Sequence, residues 1–337
     1  MKGCNMPNTI LRSIGVLAVL AALLVPGVSM AQTSGSAFPA LHDGVVVDAA
    51  SGAAYVMSPT GGIDAVQLST GNVLWKSRAG VKPLLVTQGT LVAQAEPSSP
   101  RGELLIVAID TRAGRSQRKV EVKLPDGIRA RLVDSPSKSF RAQAFAAANG
   151  DVVVTWLSEG DQVLQGAVPP DREAPPGGGI AGQAAAARAA LSQTTGAARI
   201  DFAAGRAVAV PYAKAQALKP AMEKAATPTD LRQLAAIDGR HILSSERSPG
   251  GSLFMPYRWT IATAAGAEIA TIDAPVSMAP FVIAGNRLFY VAQPSVRREG
   301  NQLVEEPLRL RSLDLATGNA TWEKAVIDST YEGILPP

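Results

Sequence analysis

The amino-acid sequence predicts an all-β fold, a β-propeller of about five four-stranded blades, on three observations. Short runs of alternating apolar and polar residues recur from about residue 44 to residue 327. Turns that contain glycine separate these runs, so that one hairpin follows another along the chain. Two distant phrases nearly repeat each other, VQLSTGNVLWK at 66–76 and LDLATGNATWEK at 313–324. Four antiparallel strands joined by tight turns are the unit of a propeller blade.

The N-terminus predicts a secretory signal peptide over residues 1–31. Lys2 and Arg12 precede an apolar run at 14–28, and small residues lead to a cleavage position after Ala31. A positive start, a short apolar segment and a small-residue cleavage site are the parts of such a signal. The apolar run is shorter than the roughly 20 residues that a membrane-spanning helix needs. The alternative is an uncleaved N-terminal anchor.

The amino-acid composition excludes several classes of function. The chain has 337 residues, with 32 basic and 28 acidic side chains, and this balance gives no electrostatic case for binding nucleic acid. One cysteine and two histidines exclude a disulfide scaffold and a Cys/His zinc cluster. The cysteine, Cys4, precedes the apolar run and leaves with the signal. We therefore expect a cysteine-free mature chain without a transmembrane segment, periplasmic or secreted, which suits an oxidising compartment.

Each blade is predicted to contain two hairpins in chain order, after a lead-in at 32–43, with the propeller itself over residues 44–337. Glycine at a tight turn supplies the positive φ that other residues adopt only with strain. The first hairpins are predicted to turn at Ser51–Gly52, Gln88–Gly89, Asn149–Gly150, Asp238–Gly239 and Gly285–Asn286. The second hairpins are predicted to turn at Gly71, Gly114, Gly205, Gly266 and Gly318.

The two repeated phrases are similar to the repeat of the pyrroloquinoline-quinone-like propeller family. In that family an Asp/Ser-x-x-Thr-Gly-x-x-x-Trp pattern closes each blade, and the resemblance implies that the Trp packs between neighbouring blades. Trp75 and Trp322 match this position. At the other three turns Val120, Val208 and Ile269, or apolar residues near them, stand where the Trp would be. The resemblance bears on the fold more than on function, since a fold does not determine its site.

Two insertions lengthen the predicted blades. Residues 161–196 are rich in Ala, Gly and Pro and predict a linker-like segment. Residues 213–230 predict a broken helix whose length is limited by two prolines. A degenerate sixth blade between Asp161 and Leu234 is the alternative to five blades.

The long connections are predicted to gather on one face of the propeller. In a four-stranded meander, the connection from the second strand to the third and the connection to the next blade lie at the same end. The long segments at these places are 96–102, 161–196, 213–230, 246–256 and 294–307. Loops on a rigid scaffold often carry binding, whereas long surface loops are also tolerated without a function. We interpret the chain as an exported, non-catalytic scaffold that binds a protein or an envelope component through this face.

No residues are assigned to catalysis or to a metal. Quinone-dependent enzymes of the resembling family use a bound calcium, an Asp base and often a disulfide, as the resemblance implies. The mature chain lacks cysteine and a calcium-loop spacing, so we expect no pyrroloquinoline quinone, and the cofactor-binding residues stay undefined. His42 and His241 are interpreted as ordinary surface residues, and Arg309 and Arg311 as a solvated strand face.

A small periplasmic enzyme, dependent on a quinone or a metal and with its site at the central channel mouth, is the alternative function. Enzyme activity is left open, with the non-catalytic scaffold preferred. The chain also resembles the propeller subunit of the outer-membrane assembly machinery, which is normally lipid-anchored and has more blades. Because no cysteine follows the apolar run, the chain is not equated with that subunit. The partner and the oligomeric state do not follow from the sequence.

Overall fold

The computed structural model describes most of the chain after the predicted signal segment. The described ranges are 38–96, 104–125, 140–147, 150–158, 195–219, 235–236, 239–249, 255–277, 279–292, 295–300 and 302–327. They contain 23 β-strands and one short helix. The predicted signal peptide at 1–31 lies outside these ranges.

Twenty of the strands form five consecutive antiparallel meanders, one for each predicted blade. Blade 1 contains β2 (Val45–Asp48), β3 (Ala53–Met57), β4 (Ile63–Gln67) and β5 (Val73–Ser77). Blade 2 contains β6 (Lys82–Thr87), β7 (Thr90–Ala95), β8 (Leu104–Asp110) and β9 (Ser116–Val122). Blade 3 contains β10 (Phe140–Ala146), β11 (Val152–Ser158), β12 (Thr195–Asp201) and β13 (Arg206–Val210). The all-β propeller prediction is confirmed.

The last two blades follow the same order. Blade 4 contains β14 (Ala235–Ala236), β15 (His241–Arg247), β16 (Tyr257–Thr263) and β17 (Glu268–Ala274). Blade 5 contains β18 (Phe281–Ala284), β19 (Arg287–Ala292), β22 (Arg309–Asp314) and β23 (Ala320–Ala325). A separate hairpin, β20 (Ser295–Glu299) and β21 (Gln302–Glu306), is inserted between the second and third strands of blade 5.

All ten glycines predicted at the hairpin turns have a positive φ. The first hairpins have φ of 68° at Gly52, 72° at Gly89, 85° at Gly150, 74° at Gly239 and 61° at Gly285. The second hairpins have φ of 76° at Gly71, 67° at Gly114, 65° at Gly205, 87° at Gly266 and 73° at Gly318. Because this region of φ is strained for side chains with a Cβ, the glycines explain where the alternating runs reverse direction.

The segment predicted as a lead-in contains a strand. β1 (Phe38–His42) pairs antiparallel with β2, where Ala40 faces Val46, and with β6, where Phe38 faces Val86. It thereby joins blades 1 and 2 into one nine-stranded sheet. The period-2 signal is weak in a five-residue strand that contains a proline, which explains why the sequence did not predict it.

Hydrophobic clusters join most blades to the next blade in the sequence, and one cluster also joins the last blade to the first. One cluster is shared by blades 1 and 2, a second by blades 2 and 3, and a third by blades 4 and 5. A fourth cluster joins blade 5 to blade 1, with Phe289 and Leu310 packed against Val45 and Val56. The first and last blades therefore share a core, as a closed arrangement of blades requires.

Blades 3 and 4 share none of the five clusters formed by the described residues. The face of blade 3 that points away from blade 2 is instead covered by helix α1 (Tyr212–Leu218), whose Ala215 packs with Phe145 and Val153. The corresponding face of blade 4 carries the partly exposed Ser244 and Thr260. Ile242 and Ala262 lie on the same face and are also partly exposed, so the described residues bury little apolar area on this side of blade 4.

The insertions were predicted in part. Helix α1 accounts for the start of the 213–230 segment and ends two residues before Pro220, as a proline stop implies. The 161–196 segment lies outside the described residues except for Thr195 and Gly196, which belong to β12 and not to an insertion. Residues 195–219 complete blade 3 and form α1, and the rest of the interval proposed for a sixth blade is not described.

Candidate binding face

The meander topology divides the connections between strands into two sets at opposite ends of the blades. We call the end with the ten glycine turns the turn face, and the opposite end the long-connection face. The connections at the long-connection face that have eight residues or more run over 96–103, 123–139, 159–194, 211–234, 248–256 and 293–308. Four of them join the second and third strands of a blade, and the other two lead from blade 2 to blade 3 and from blade 3 to blade 4.

The repeated glycine and tryptophan residues lie at the turn face and connect neighbouring blades. A Cβ built on Gly71 of blade 1 would lie 2.7 Å from the ring of Trp322 in blade 5. A Cβ on Gly114 of blade 2 would lie 2.7 Å from the ring of Trp75 in blade 1. Each indole is therefore stacked on a glycine of the next blade, and its size requires that glycine.

A hydrogen bond repeats with this stacking. The Trp322 indole N–H donates to the carbonyl oxygen of Leu68 over 2.9 Å, and the Trp75 indole N–H donates to that of Thr111, also over 2.9 Å. Leu68 and Thr111 each lie three residues before the stacked glycine. The two contacts are thus equivalent in the repeat, and they place these residues in the scaffold and not in a ligand site.

The remaining repeat positions differ from one another. A Cβ on Gly318 would collide with the carbonyl oxygen of Ile269, the blade 4 residue that stands in for a tryptophan. Gly205 and Gly266 have open space around them. Val208, which follows Gly205, is among the exposed large hydrophobic residues, in agreement with the missing shared cluster between blades 3 and 4.

A cleft opens between blades 4 and 5 at the long-connection face, and we call it the blade 4–5 cleft. One wall is apolar or aromatic and includes Trp259, Ile272 and Val276. The opposite wall carries Tyr290 and the two arginines of β22. The lining segments come from the second-to-third connections of both blades and from the link between them, which places the cleft on the long-connection face.

Two arginines in the cleft share one carboxylate. The Arg311 Nε–H donates to Glu323 over 3.0 Å, and a guanidinium N–H of Arg309 donates to the other oxygen of Glu323. The side chains of Arg309 and Arg311 are 30% and 33% exposed. They are thus half-buried, and not the freely solvated strand face that the alternation with leucines suggested.

Tyr290 faces Arg311 across the β19–β22 pair. Burial raises the pKa of the Tyr290 hydroxyl above its usual range, and the neighbouring Arg311 opposes this shift. Burial alone would lower the pKa of Arg311, but Tyr290 and Glu323 raise it by more. The tyrosine is therefore neutral and the arginine charged at physiological pH.

Among the described residues, one donor in this group has no hydrogen-bond partner. The Arg309 Nε is buried, and no acceptor in the described part of the chain bonds to it. A second ion pair joins Arg258 to Asp273 over 3.2 Å, and of these two residues only Asp273 lines the cleft.

The two histidines do not form a site. His42 is the last residue of β1, half-buried, whereas we expected it before the first strand. His241 begins β15 as predicted, but it is only 8% exposed, so its interpretation as a surface residue was wrong. It lies on the same face of blade 4 as Leu243, which packs on blade 5.

The sequence did not predict the cleft, because its lining residues come from two blades and were interpreted one by one. The alternation with leucines predicts a solvated strand face for the two β22 arginines. A signal was present, since Glu323 occurs one strand later, directly opposite Arg311 in the register. That register is set by the position of the Gly318 turn and its bulge, and it is evident only once the two strands are paired.

The sequence of the chain shows the family to which it belongs. Residues 27–252, more than half of the chain, match the family model described as outer membrane protein assembly factor BamB. The chain belongs to this family. The match confirms the resemblance to the pyrroloquinoline-quinone-like repeat, and it places the chain in the BamB family although no cysteine follows the apolar run. A search of curated protein sequences found no match.

Solved propeller structures show distant similarity. BamB from Moraxella catarrhalis is 10% identical, with 81% of this chain and 58% of that chain covered and a TM-score of 0.26. The Myceliophteria thermophila Cps50 (Swd1) β-propeller domain is 12% identical, with 87% and 89% covered and a TM-score of 0.26. A europium-containing methanol dehydrogenase is 11% identical, with 84% and 68% covered and a TM-score of 0.21. At such low TM-scores these similarities carry no weight for function.

A quinone held by calcium does not fit the described residues of this BamB family member. Calcium binds through clusters of six to eight oxygen ligands, many of them carboxylates. In the described ranges no group of three or more His, Cys, Asp or Glu side chains lies close enough to hold a metal ion. The absence of such a cofactor remains an expectation from the sequence.

Proposed function

We propose that this member of the BamB family is an exported, non-catalytic propeller scaffold that binds a protein or a cell-envelope component through its long-connection face. The observation that carries the proposal is the separation of the two faces. Ten tight glycine turns occupy the turn face, whereas every long connection and the added hairpin β20–β21 start from the opposite end. Long segments on a rigid framework are the usual carriers of recognition.

The scaffold role is supported by how the blades are joined. The tryptophans of blades 1 and 5 stack on glycines of the next blade, and blades 5 and 1 share a buried cluster. Such packing holds the ends of the strands in a constant arrangement, so that separate connections present one surface. The family description names a factor of outer membrane protein assembly, which makes an envelope protein the partner that we propose.

The proposed location is the periplasm or the exterior, after cleavage near Ala31. No helix in the described part of the chain is long and apolar enough to cross a membrane. The intact mass of the protein purified from the envelope fraction of its host tests the cleavage. Loss of the first 31 residues is expected, and retention of the full chain would support the uncleaved anchor instead.

Photo-crosslinking in the host tests the binding face. Benzoylphenylalanine is placed at Glu96 in blade 2 or at Gln302 in blade 5, both exposed at the long-connection face. The matched controls are Ala113 and Ala316, which are exposed in the turn-face hairpins of the same blades. We expect the same envelope protein in the adducts of the first pair and not in those of the second.

Equal crosslinking at both faces, or adducts only at the turn face, would contradict the proposed function. The alternative, a quinone-dependent or metal-dependent enzyme, predicts a quinone absorbance band or a stoichiometric metal in protein purified from its host. Either result, together with the absence of adducts at Glu96 and Gln302, would favour that alternative.

A further inference from the structure

Blades 5 and 1 meet without exchanging a strand. In the described part of the chain, the blade 5 sheet consists of β18, β19, β22 and β23, and the N-terminal strand β1 pairs with blades 1 and 2 instead. The contact between blades 5 and 1 therefore consists largely of side-chain contacts. Its apolar part is the buried cluster that contains Phe289 and Val56. Because apolar packing is non-directional, this cluster does not by itself determine the position of one sheet on the other.

A buried carboxylate of blade 1 lies in this contact. The Asp64 side chain is 2% exposed, and its Oδ2 lies 3.3 Å from the Nζ of Lys324 in blade 5. The Lys76 Nζ, on the strand next to Asp64, is farther away at 3.8 Å and belongs to a side chain that is 61% exposed. The other oxygen, Asp64 Oδ1, is buried with no hydrogen-bond partner among the described residues. Burying a carboxylate with one oxygen unpaired costs free energy, so stability alone does not explain an aspartate at this position.

A second charged side chain of blade 5 also reaches blade 1. Arg287, at the start of β19, is half-buried, and its guanidinium donates to the carbonyl oxygen of Leu68 over 3.1 Å and to that of Ser69. The Leu68 carbonyl oxygen also accepts the Trp322 indole N–H. These acceptors follow the end of β4, whereas Asp64 lies near its start. Polar contacts at both ends of one strand define the position and the tilt of blade 5 against it.

The contact between blades 1 and 2 has the same stacked tryptophan but not these charges. The equivalent positions there each hold an uncharged residue, Val107 for Asp64, Ser77 for Lys324 and Ala53 for Arg287. The first two are counted from the second-hairpin glycine of each blade, and the third from the turn residue whose carbonyl oxygen accepts a backbone N–H of the next hairpin. The charges therefore distinguish the contact between the last blade and the first from the repeated contact that it resembles.

We propose that Asp64, Lys324 and Arg287 form a polar clasp that fixes the register of blade 5 on blade 1 and so closes the propeller in one arrangement. A displaced blade 5 would leave the Asp64 carboxylate buried without its cation and the Arg287 guanidinium without its two acceptors. Because unpaired buried charges are costly, displaced arrangements are disfavoured even where their apolar contacts are equally good. The clasp thereby also fixes where the β20–β21 hairpin of blade 5 lies relative to blade 1.

The indole N–H signals of the four tryptophans, measured by nuclear magnetic resonance on isotope-labelled mature protein, test the proposal. The Trp322 signal reports the contact of blades 5 and 1, and the Trp75 signal reports the similar contact of blades 1 and 2. The variant that combines Asp64→Leu with Lys324→Met removes the ion pair and retains apolar volume. We expect it to fold, to show more than one Trp322 signal, and to exchange the Trp322 indole hydrogen about tenfold faster, with a single, unchanged Trp75 signal.

The matched control is Asp273→Asn, which breaks the exposed ion pair with Arg258 inside blade 4 and should leave all the indole signals single. If the double variant does not fold, Arg287→Gln decides by the same measurement, since it removes only the two hydrogen bonds to blade 1. A single Trp322 signal with unchanged hydrogen exchange would overturn the proposal, because the apolar cluster would then fix the register alone. Multiple signals for Trp75 as well as Trp322 would also overturn it, because the disorder would not be specific to the closing contact.

Discussion

At the level of single residues, glycines with the same backbone conformation are required for different reasons. Gly114 has a φ of 67° and Gly205 a φ of 65°. At Gly114 the missing side chain also makes room for the Trp75 ring, whereas nothing lies within 4 Å of the Cβ position at Gly205. Close contact between neighbouring blades therefore requires a glycine at position 114 but not at position 205.

Replacing each glycine by alanine separates the two effects. Gly205→Ala should lower the free energy of unfolding by the strain of a positive φ, about 1–2 kcal/mol. Gly114→Ala should cost about 1–3 kcal/mol more, because the new methyl group overlaps Trp75 and forces blades 1 and 2 apart. Urea denaturation followed by circular dichroism measures both values. Equal losses in the two variants would show that Trp75 adjusts without cost.

At the level of elements, helix α1 takes the place that a neighbouring blade occupies elsewhere. It is seven residues long, too short to be stable in isolation. Its one buried residue, Ala215, lies against Phe145 and Val153 of blade 3. The helix is therefore stabilised by docking. Its apolar side covers a face of the blade 3 sheet on which no neighbouring blade packs among the described residues.

A charge on the docked face should release the helix. Ala215→Glu is expected to lower the free energy of unfolding by about 2 kcal/mol or more, since a buried carboxylate without a partner is costly. Ala217→Glu, on the exposed side of the same helix, is the control and should change stability by less than about 0.5 kcal/mol. Chemical denaturation gives the values, and limited proteolysis near residue 219 should be faster only in the first variant. Similar behaviour of the two variants would mean that α1 does not dock through Ala215.

At the level of the whole molecule, the first and last blades stabilise each other. Phe289 and Leu310 of blade 5 are fully buried against Val45, Val47 and other residues of blade 1. No comparable cluster joins the described parts of blades 3 and 4. A destabilising substitution in blade 5 should therefore also destabilise blade 1, although the two blades are at opposite ends of the sequence. A substitution in blade 3 should affect blade 4 less.

Phe289→Ala tests this coupling. It should lower the free energy of unfolding by about 3–5 kcal/mol, as for other buried aromatic residues. Amide hydrogen exchange in blade 1 should become faster, although the substitution is in blade 5. Phe145→Ala, at the docked face of α1, is the matched control and should speed exchange in blade 3 only. Unchanged exchange in blade 1 of the Phe289 variant would contradict a shared core.

The features that could be predicted from the sequence are the local ones. Period-2 alternation and glycine positions such as Gly71 and Gly318 mark strands and turns within a few residues of each other, so no knowledge of distant contacts is needed. The spacing of Trp75 and Trp322 from their glycines is also local. The burial of His241 could not be predicted, because it depends on which face of blade 4 meets blade 5.

The sequence by itself determined the strands of the five meanders, their reversals and the face from which the long connections start, because each follows from the period of side chains over a few residues. Only the tertiary structure decided that β1 lies between blades 1 and 2, that blade 5 packs on blade 1, and that Arg309 and Arg311 share Glu323 beside Trp259. Those contacts join residues far apart in the chain. They depend on the sum of packing over whole sheet faces, which no short pattern encodes.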